Sequence, residues 1–195
     1  MKNQRYRWWH GVAFYAGVQL AQLAIRAAVR CARGGATAAI SDGDRESYRS
    51  RRLPVYAPPA IAFPIAWSIN CASLLAGGLH VLNLPEETEG RAEFLRLQAS
   101  AWALFSLFNT AHFELRSPIN AALLTFAYSA VTVASLAVAL RRMEDRTAAF
   151  SVATTVAWLA LANPLAVTQA AWNRDPFWNV GPLVMPPRGW EKSGK

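Results

Sequence analysis

The sequence predicts an all-α integral membrane protein, a bundle of five transmembrane helices, and three observations carry that prediction. Of the 195 residues, 53% are hydrophobic and only 16% charged. The apolar residues fall into five runs, each of roughly 20 residues or slightly more, and ~20 residues of helix at ~1.5 Å per residue cross the ~30 Å hydrocarbon layer. The charges collect in short clusters between those runs, where water or headgroups can solvate them.

The predicted spans cover residues 8–29, 60–84, 94–113, 119–140 and 147–172 of a single domain, 1–175. A long first loop (30–59) and a polar tail rich in Pro and Trp (176–195) complete the chain. The net charge of +8 would suggest nucleic acid in a soluble protein. Here the Lys and Arg lie mainly outside the apolar runs, so the lipid bilayer is the expected partner and nucleic acid is not. The segment 30–52 carries six arginines against three acidic residues, whereas 85–93 is acidic with only Arg91. The positive-inside rule therefore places the first loop and the C-terminus in the cytoplasm, although Lys2, Arg5, Arg7, Arg141, Arg142 and Arg146 argue the other way.

The first span opens on Trp8, Trp9 and His10, an interfacial aromatic cluster, and holds Gly11 and Gly17, where a neighbouring helix can approach closely. It is too long, and too broken by Gln19, Gln22 and Arg26, for the core of a cleaved signal peptide. Arg26 and Arg96 are expected to snorkel to the interface. In the loop that follows, 36–46 reads as disordered.

The entry to the second span, 54–67, reads PVYAPPAIAFPIAW. Proline fixes φ and lacks a donor, so it suits a loop or a first helical turn and disrupts a helix interior. Pro58, Pro59 and Pro64 thus make a rigid loop running into a helix. Phe63 and Trp67, four apart, share one helical face. With Tyr56 they could close over a flat apolar ligand, or simply anchor the span at headgroup level.

In the third span Phe105, Phe108, Asn109 and His112 follow the i, i+3, i+4, i+7 rule and form one stripe. Unpaired polar groups in hydrocarbon cost several kcal/mol, so Asn109 and His112 must face another helix or a ligand. Ala99 and Ala103 form a small-xxx-small pair that would permit a homodimer through this span. The fourth span reads as a packing helix, with Tyr128 its one large ring. The fifth carries Trp158 and Ala162 on one face, then Asn163 and Pro164, which are expected to bend it. Cys31 and Cys71 suggest neither disulfide nor metal site. No metal-spaced cluster, phosphate loop, nucleophile elbow or intramembrane pair of acids is present in the sequence, so no catalytic or metal-binding residue and no required cofactor is predicted.

The run Pro54, Tyr56, Pro58, Pro59, Phe63, Pro64, Trp67 resembles the entry motif of the TspO/MBR family, the tryptophan-rich sensory protein, translocator protein and peripheral benzodiazepine receptor family. The turn from Phe113 to Pro118, and Trp158, Leu161, Ala162, Leu165 and Asn173 in the fifth span, are similar to the family's later motifs. That resemblance implies a five-helix bundle binding planar hydrophobic ligands, notably porphyrins such as protoporphyrin IX or haem, with sterols as ligands of animal members, in a cavity under the first loop. It places Tyr56 where the family has a loop tryptophan, and Trp158 and Ala162 in the cavity. Alignment on Pro118 puts Phe105, Phe108, Asn109 and His112 there too. Ile61 stands where many members have a second tryptophan, which counts against tryptophan-dependent photodegradation of porphyrin.

The expected function is a membrane receptor for porphyrin-type or other planar apolar ligands, with a regulatory or transport role. Ligand-binding residues are expected to be Tyr56, Pro58, Pro59, Phe63, Trp67, Phe105, Phe108, Asn109, His112, Trp158 and Ala162, with His112 as a lesser candidate for axial haem ligation. A small transporter or permease and a light-dependent porphyrin-degrading enzyme are the alternatives.

Overall fold

A computed structural model describes residues 5–33 and 51–192, which leaves the segment 36–46 and most of the first loop outside the described residues. The described residues form five α-helices and no β-strand: α1, Trp8–Ala32; α2, Ala62–Leu82; α3, Arg91–Asn109; α4, Pro118–Arg141; and α5, Arg146–Trp172. At its end α3 widens into a π-helical turn, Thr110–Glu114, in which the Leu115 amide donates to the Thr110 carbonyl at 3.0 Å.

The helix starts follow from local chemistry. Pro64 lies in the first turn of α2, where an absent N–H breaks no helical bond, and Pro118 is the first residue of α4 behind a Ser117 cap that accepts from the Asn120 amide at 3.0 Å. Asp145 caps α5 by accepting from the Ala148 amide at 2.9 Å. Gly90, just ahead of α3, adopts a left-handed φ of 76°, and a side chain there would press on Arg142 and Met143. Pro164 does not end α5, which continues to Trp172. Asn163 beside it accepts from Ser129 Oγ at 3.0 Å, tying α5 to α4.

Four helices, α1, α2, α4 and α5, are long and apolar enough to cross a membrane. The helix α3 is less so, since Arg91, Glu93 and Arg96 occupy its first turns. The packing order is a ring: α2 lies against α5, α5 against α4, α4 against α3, and α1 bridges α3 and α2. The distribution of residues suits lipid. Leu20, Ile65, Ile69, Leu123, Val133 and Phe150 face outward, while Asn70, Gln98, Thr132, Ser135 and Thr155 are buried. With hydrocarbon outside, polar and small side chains are driven inward, where Thr132 and Ser135 donate to the Tyr128 and Val131 carbonyls one turn back.

Arg26 corrects the expectation of snorkelling. It is buried, its Nε donates to Glu114 Oε1 at 2.8 Å, and its guanidinium lies 5.6 Å from the Phe113 ring. Arg30 pairs with the same carboxylate, and Arg33 donates to the Glu114 carbonyl at 2.8 Å. Arg96 stays exposed on its own helix. The tail is exposed over much of its length but folds back on the first loop: Val55 donates to the Trp190 carbonyl at 2.9 Å and Lys192 to the Leu53 carbonyl at 2.8 Å. The loop before α2 and the C-terminal segment therefore sit on one side of the bundle.

The helices α2 and α5 approach closely at Gly77, where a Cβ would overlap the Ser151 side chain. Overpacking of this kind typically costs about 1–3 kcal/mol. Gly77→Ala should lower the midpoint of thermal unfolding in detergent. Gly78→Ala, in the same helix but with nothing within 4 Å of the new Cβ, should not lower it and should raise it slightly.

Two carboxylates outside the spans predict acid sensitivity. Burial works against the charge on Asp145 and on Asp175, but hydrogen bonds outweigh it and hold both carboxyls below the ordinary carboxylate range. Asp145 is held by the Ala148 amide and His80, and Asp175 by Ser117 Oγ and the amides of Trp178, Ile119 and Phe177. A carboxyl with a depressed folded-state pKa contributes stability that is complete above its unfolded value, about 3.9, and disappears as pH falls through the folded value. Unfolding followed from about pH 7 downward should show stability falling only below about pH 4. Asp175→Asn should be less stable at neutral pH and lose less on acidification.

Candidate functional site

The helix ring surrounds a partly open cavity of about 640 Å³, and every helix contributes to its wall. Tyr15, Gln19 and Gln22 come from α1, Phe63, Pro64 and Trp67 from α2, and Leu104, Phe105, Phe108 and Asn109 from α3. The π-helical turn adds His112, α4 adds Pro118, Thr125 and Tyr128, and α5 adds Trp158, Ala162, Leu165 and Gln169. Helical spacing explains the aromatic content. Phe63 and Trp67 lie one turn apart, as do Phe105 and Phe108, so each pair presents two rings to the interior. Phe63 meets Trp158 edge to face at 5.5 Å, and Trp67 lies 5.0 Å from Phe105 and 5.8 Å from Tyr128.

The polar groups gather toward the first-loop end. Asn109 Nδ2 donates to Gln22 Oε1 at 2.8 Å. The Gln22 Nε2 and His112 Nδ1 atoms are buried with no hydrogen-bond partner. Arg51, from the loop, donates to the His112 carbonyl at 3.1 Å and to Gln169 Oε1 at 3.3 Å. Burial draws the Arg51 pKa down to about 10, with Asp175 raising it and Arg116 lowering it, so the guanidinium remains charged at neutral pH. Among the described residues no group of three or more His, Cys, Asp or Glu is placed to hold a metal.

Of the residues expected to meet a ligand, Phe63, Trp67, Phe105, Phe108, Asn109, His112, Trp158 and Ala162 line the cavity. Tyr56, Pro58 and Pro59 are not on its wall. A tight turn, with the Ala57 amide donating to the Pro54 carbonyl at 2.8 Å, sends Ala57 inward against Leu53, Leu165 and Phe63. The same turn leaves Tyr56 exposed, its hydroxyl 3.4 Å from Thr168 Oγ1. Gln22, Gln169 and Arg51 are the polar residues of this end that sequence reading missed. Gln19, Gln22 and Arg26 share a helical face, a polar stripe that must turn inward in a membrane. Gln169 continues the face of Trp158 and Ala162. Arg51 carries no comparable signal, because periodicity says nothing of loop side chains.

The first loop is clamped at this end. Arg52 donates its amide to Asn173 Oδ1 at 2.8 Å, and Asn173 Nδ2 donates to the Arg52 carbonyl at 3.1 Å, so the residue that closes α5 also fixes the loop leading into α2.

A helical bundle with polar side chains within, apolar ones without, and four helices long and apolar enough to cross a bilayer defines an integral multi-pass membrane protein. The chain belongs to the TspO/MBR family, whose model matches residues 23–172. Membership sets it among membrane binding and sensory proteins. No curated protein matches it.

Removing the Asn173 side chain leaves both Arg52 backbone groups without these bonds, at about 1–3 kcal/mol. Asn173→Ala should raise amide hydrogen exchange in the segment 52–57 by about tenfold or more and leave the centres of α2 and α4 protected.

Proposed function

We propose that the protein is a membrane receptor for porphyrin-type tetrapyrroles or closely similar planar apolar molecules, acting in their sensing or movement. The observation behind this reading is the cavity itself: about 640 Å³, walled by rings from α2, α3, α4 and α5, within the size range of small-molecule sites. In this reading α3 is the fifth span, because it carries much of the cavity wall; the loop expected to act as a lid lies mostly outside the described residues. The first loop and C-terminus lie on the cytoplasmic side. Ala99 and Ala103, both exposed on α3, offer a face for a second copy of the chain.

Apolar burial supplies enough affinity. About 400 Å² of ligand surface at ~25 cal/mol per Å² contributes roughly 10 kcal/mol before the cost of association, so micromolar binding needs no metal bond. His112, on the wall, adds hydrogen-bonding capacity. Binding is favoured over light-driven degradation, because Ile61 lines the cavity where the resembling proteins carry a second indole.

Titration of the detergent-solubilised protein with protoporphyrin IX, followed by Soret shift and tryptophan quenching against empty micelles, tests the reading. Micromolar binding is expected. Trp158→Ala should weaken it, and Ala162→Phe, which puts a phenyl ring into the cavity, should weaken it by at least about tenfold while thermal unfolding stays cooperative. Affinity unchanged in both variants would reject the cavity as the site.

A further inference from the structure

We infer that the occupant of this cavity is an apolar carboxylic acid, seated with its acid group at the first-loop end among Gln22, His112 and Arg51. The inference rests on the reading of the cavity as a ligand site and adds the chemistry of the ligand's polar end.

Gln22 is 4% exposed and His112 8%, and both lie on the cavity wall. Gln22 Oε1 is taken by Asn109, which fixes the amide so that Nε2 is the end without a partner. An unsatisfied buried donor carries a desolvation penalty that an acceptor from a ligand would remove. His112 Nδ1 has no partner either, and its neutral ring can place a hydrogen on that nitrogen.

Charge points the same way. No Asp or Glu is among the residues lining the cavity. The Arg51 guanidinium is held against two lining residues, His112 and Gln169, where low polarity lets a positive charge act over a longer range than in water. Asp175 offsets part of that charge, but its oxygens are engaged by Ser117 Oγ and by the amides of Ile119, Phe177 and Trp178. The site therefore has donors at one end, a cation held against its wall there, and rings along its depth. A neutral planar hydrocarbon would leave the donors unmatched, and a cation would be repelled by Arg51. An acid satisfies both features.

The test compares protoporphyrin IX with its dimethyl ester, which differ only at the carboxyl groups, on the parent chain and on Arg51→Met and Gln22→Met. The parent should prefer the acid by about tenfold after correction for partition into empty micelles, and each variant should lose most of that preference while still binding the ester. Equal affinities for acid and ester on the parent would overturn the inference and leave the cavity reading intact. No binding of either compound would overturn both. Competition by oleate and oleyl alcohol separates two sources of such an acid. Displacement by oleate alone indicates that fatty acids also fit, and displacement by neither restricts the site to ring acids. Equal displacement by both counts against a role for the carboxylate.

Discussion

The ion cluster of Arg26, Arg30 and Glu114 is what closes this molecule on itself. The helices α2, α5, α4 and α3 pack in sequence around the cavity, and α1 completes the ring, yet α1 buries little more than Gly11, Gln22 and Arg26. In lipid no hydrophobic effect presses a helix against its neighbours, so such a helix is held by packing and by polar contacts. Glu114 supplies them by accepting from Arg26 and Arg30, while its carbonyl accepts from Arg33. Ion pairs of this kind contribute little compared with a well-packed apolar contact, but leaving one partner alone costs several kcal/mol. Their effect here is to fix where α1 stands and so to keep Tyr15, Gln19 and Gln22 on the cavity wall.

The π-helical turn makes that contact possible. A regular helix through Thr110–Glu114 would advance each side chain by about 100°. The wider turn inserts one residue's worth of backbone and shifts the register of everything after it. His112 falls on the cavity side while Glu114 reaches α1, two residues later on another face. One irregularity thus serves both the wall of the site and the closure of the ring, and Ser117, Pro118 and Asp175 follow immediately to restart the chain as α4.

Much of this was legible in the sequence, and the failures have common causes. The five helices follow from the lengths of the apolar runs, four of them long and apolar enough to cross a membrane, and the stripe and ring residues follow from periodicity, which is strong when hydrocarbon outside a helix forces polar groups inward. Arg26 was misread because snorkelling is the right outcome for a basic residue near a span end only if no carboxylate waits inside, and Glu114 lies 88 residues away in the chain. Tyr56 was misread because its direction is set by a turn at Pro54, not by helical spacing. Arg51 was invisible for the same reason. The docking of the tail was equally invisible, since nothing in its composition shows that Trp190 and Lys192 would hydrogen-bond to Val55 and Leu53.

These contacts place the loop, the end of α5 and the tail in one assembly at the polar end of the cavity. Asn173 binds Arg52 from one side and the tail binds Leu53 and Val55 from the other, so Arg51, next in the chain to Arg52, is delivered to His112 and Gln169 by backbone contacts. The rings deeper in the bundle offer area without direction, since any flat apolar molecule can lie among them. Orientation has to come from the few polar groups, and these stand where the segment leading into α2, the end of α5 and the tail also meet. The contacts that place Arg51 therefore also set a positive charge against His112 and Gln169, behind the polar end of the cavity wall.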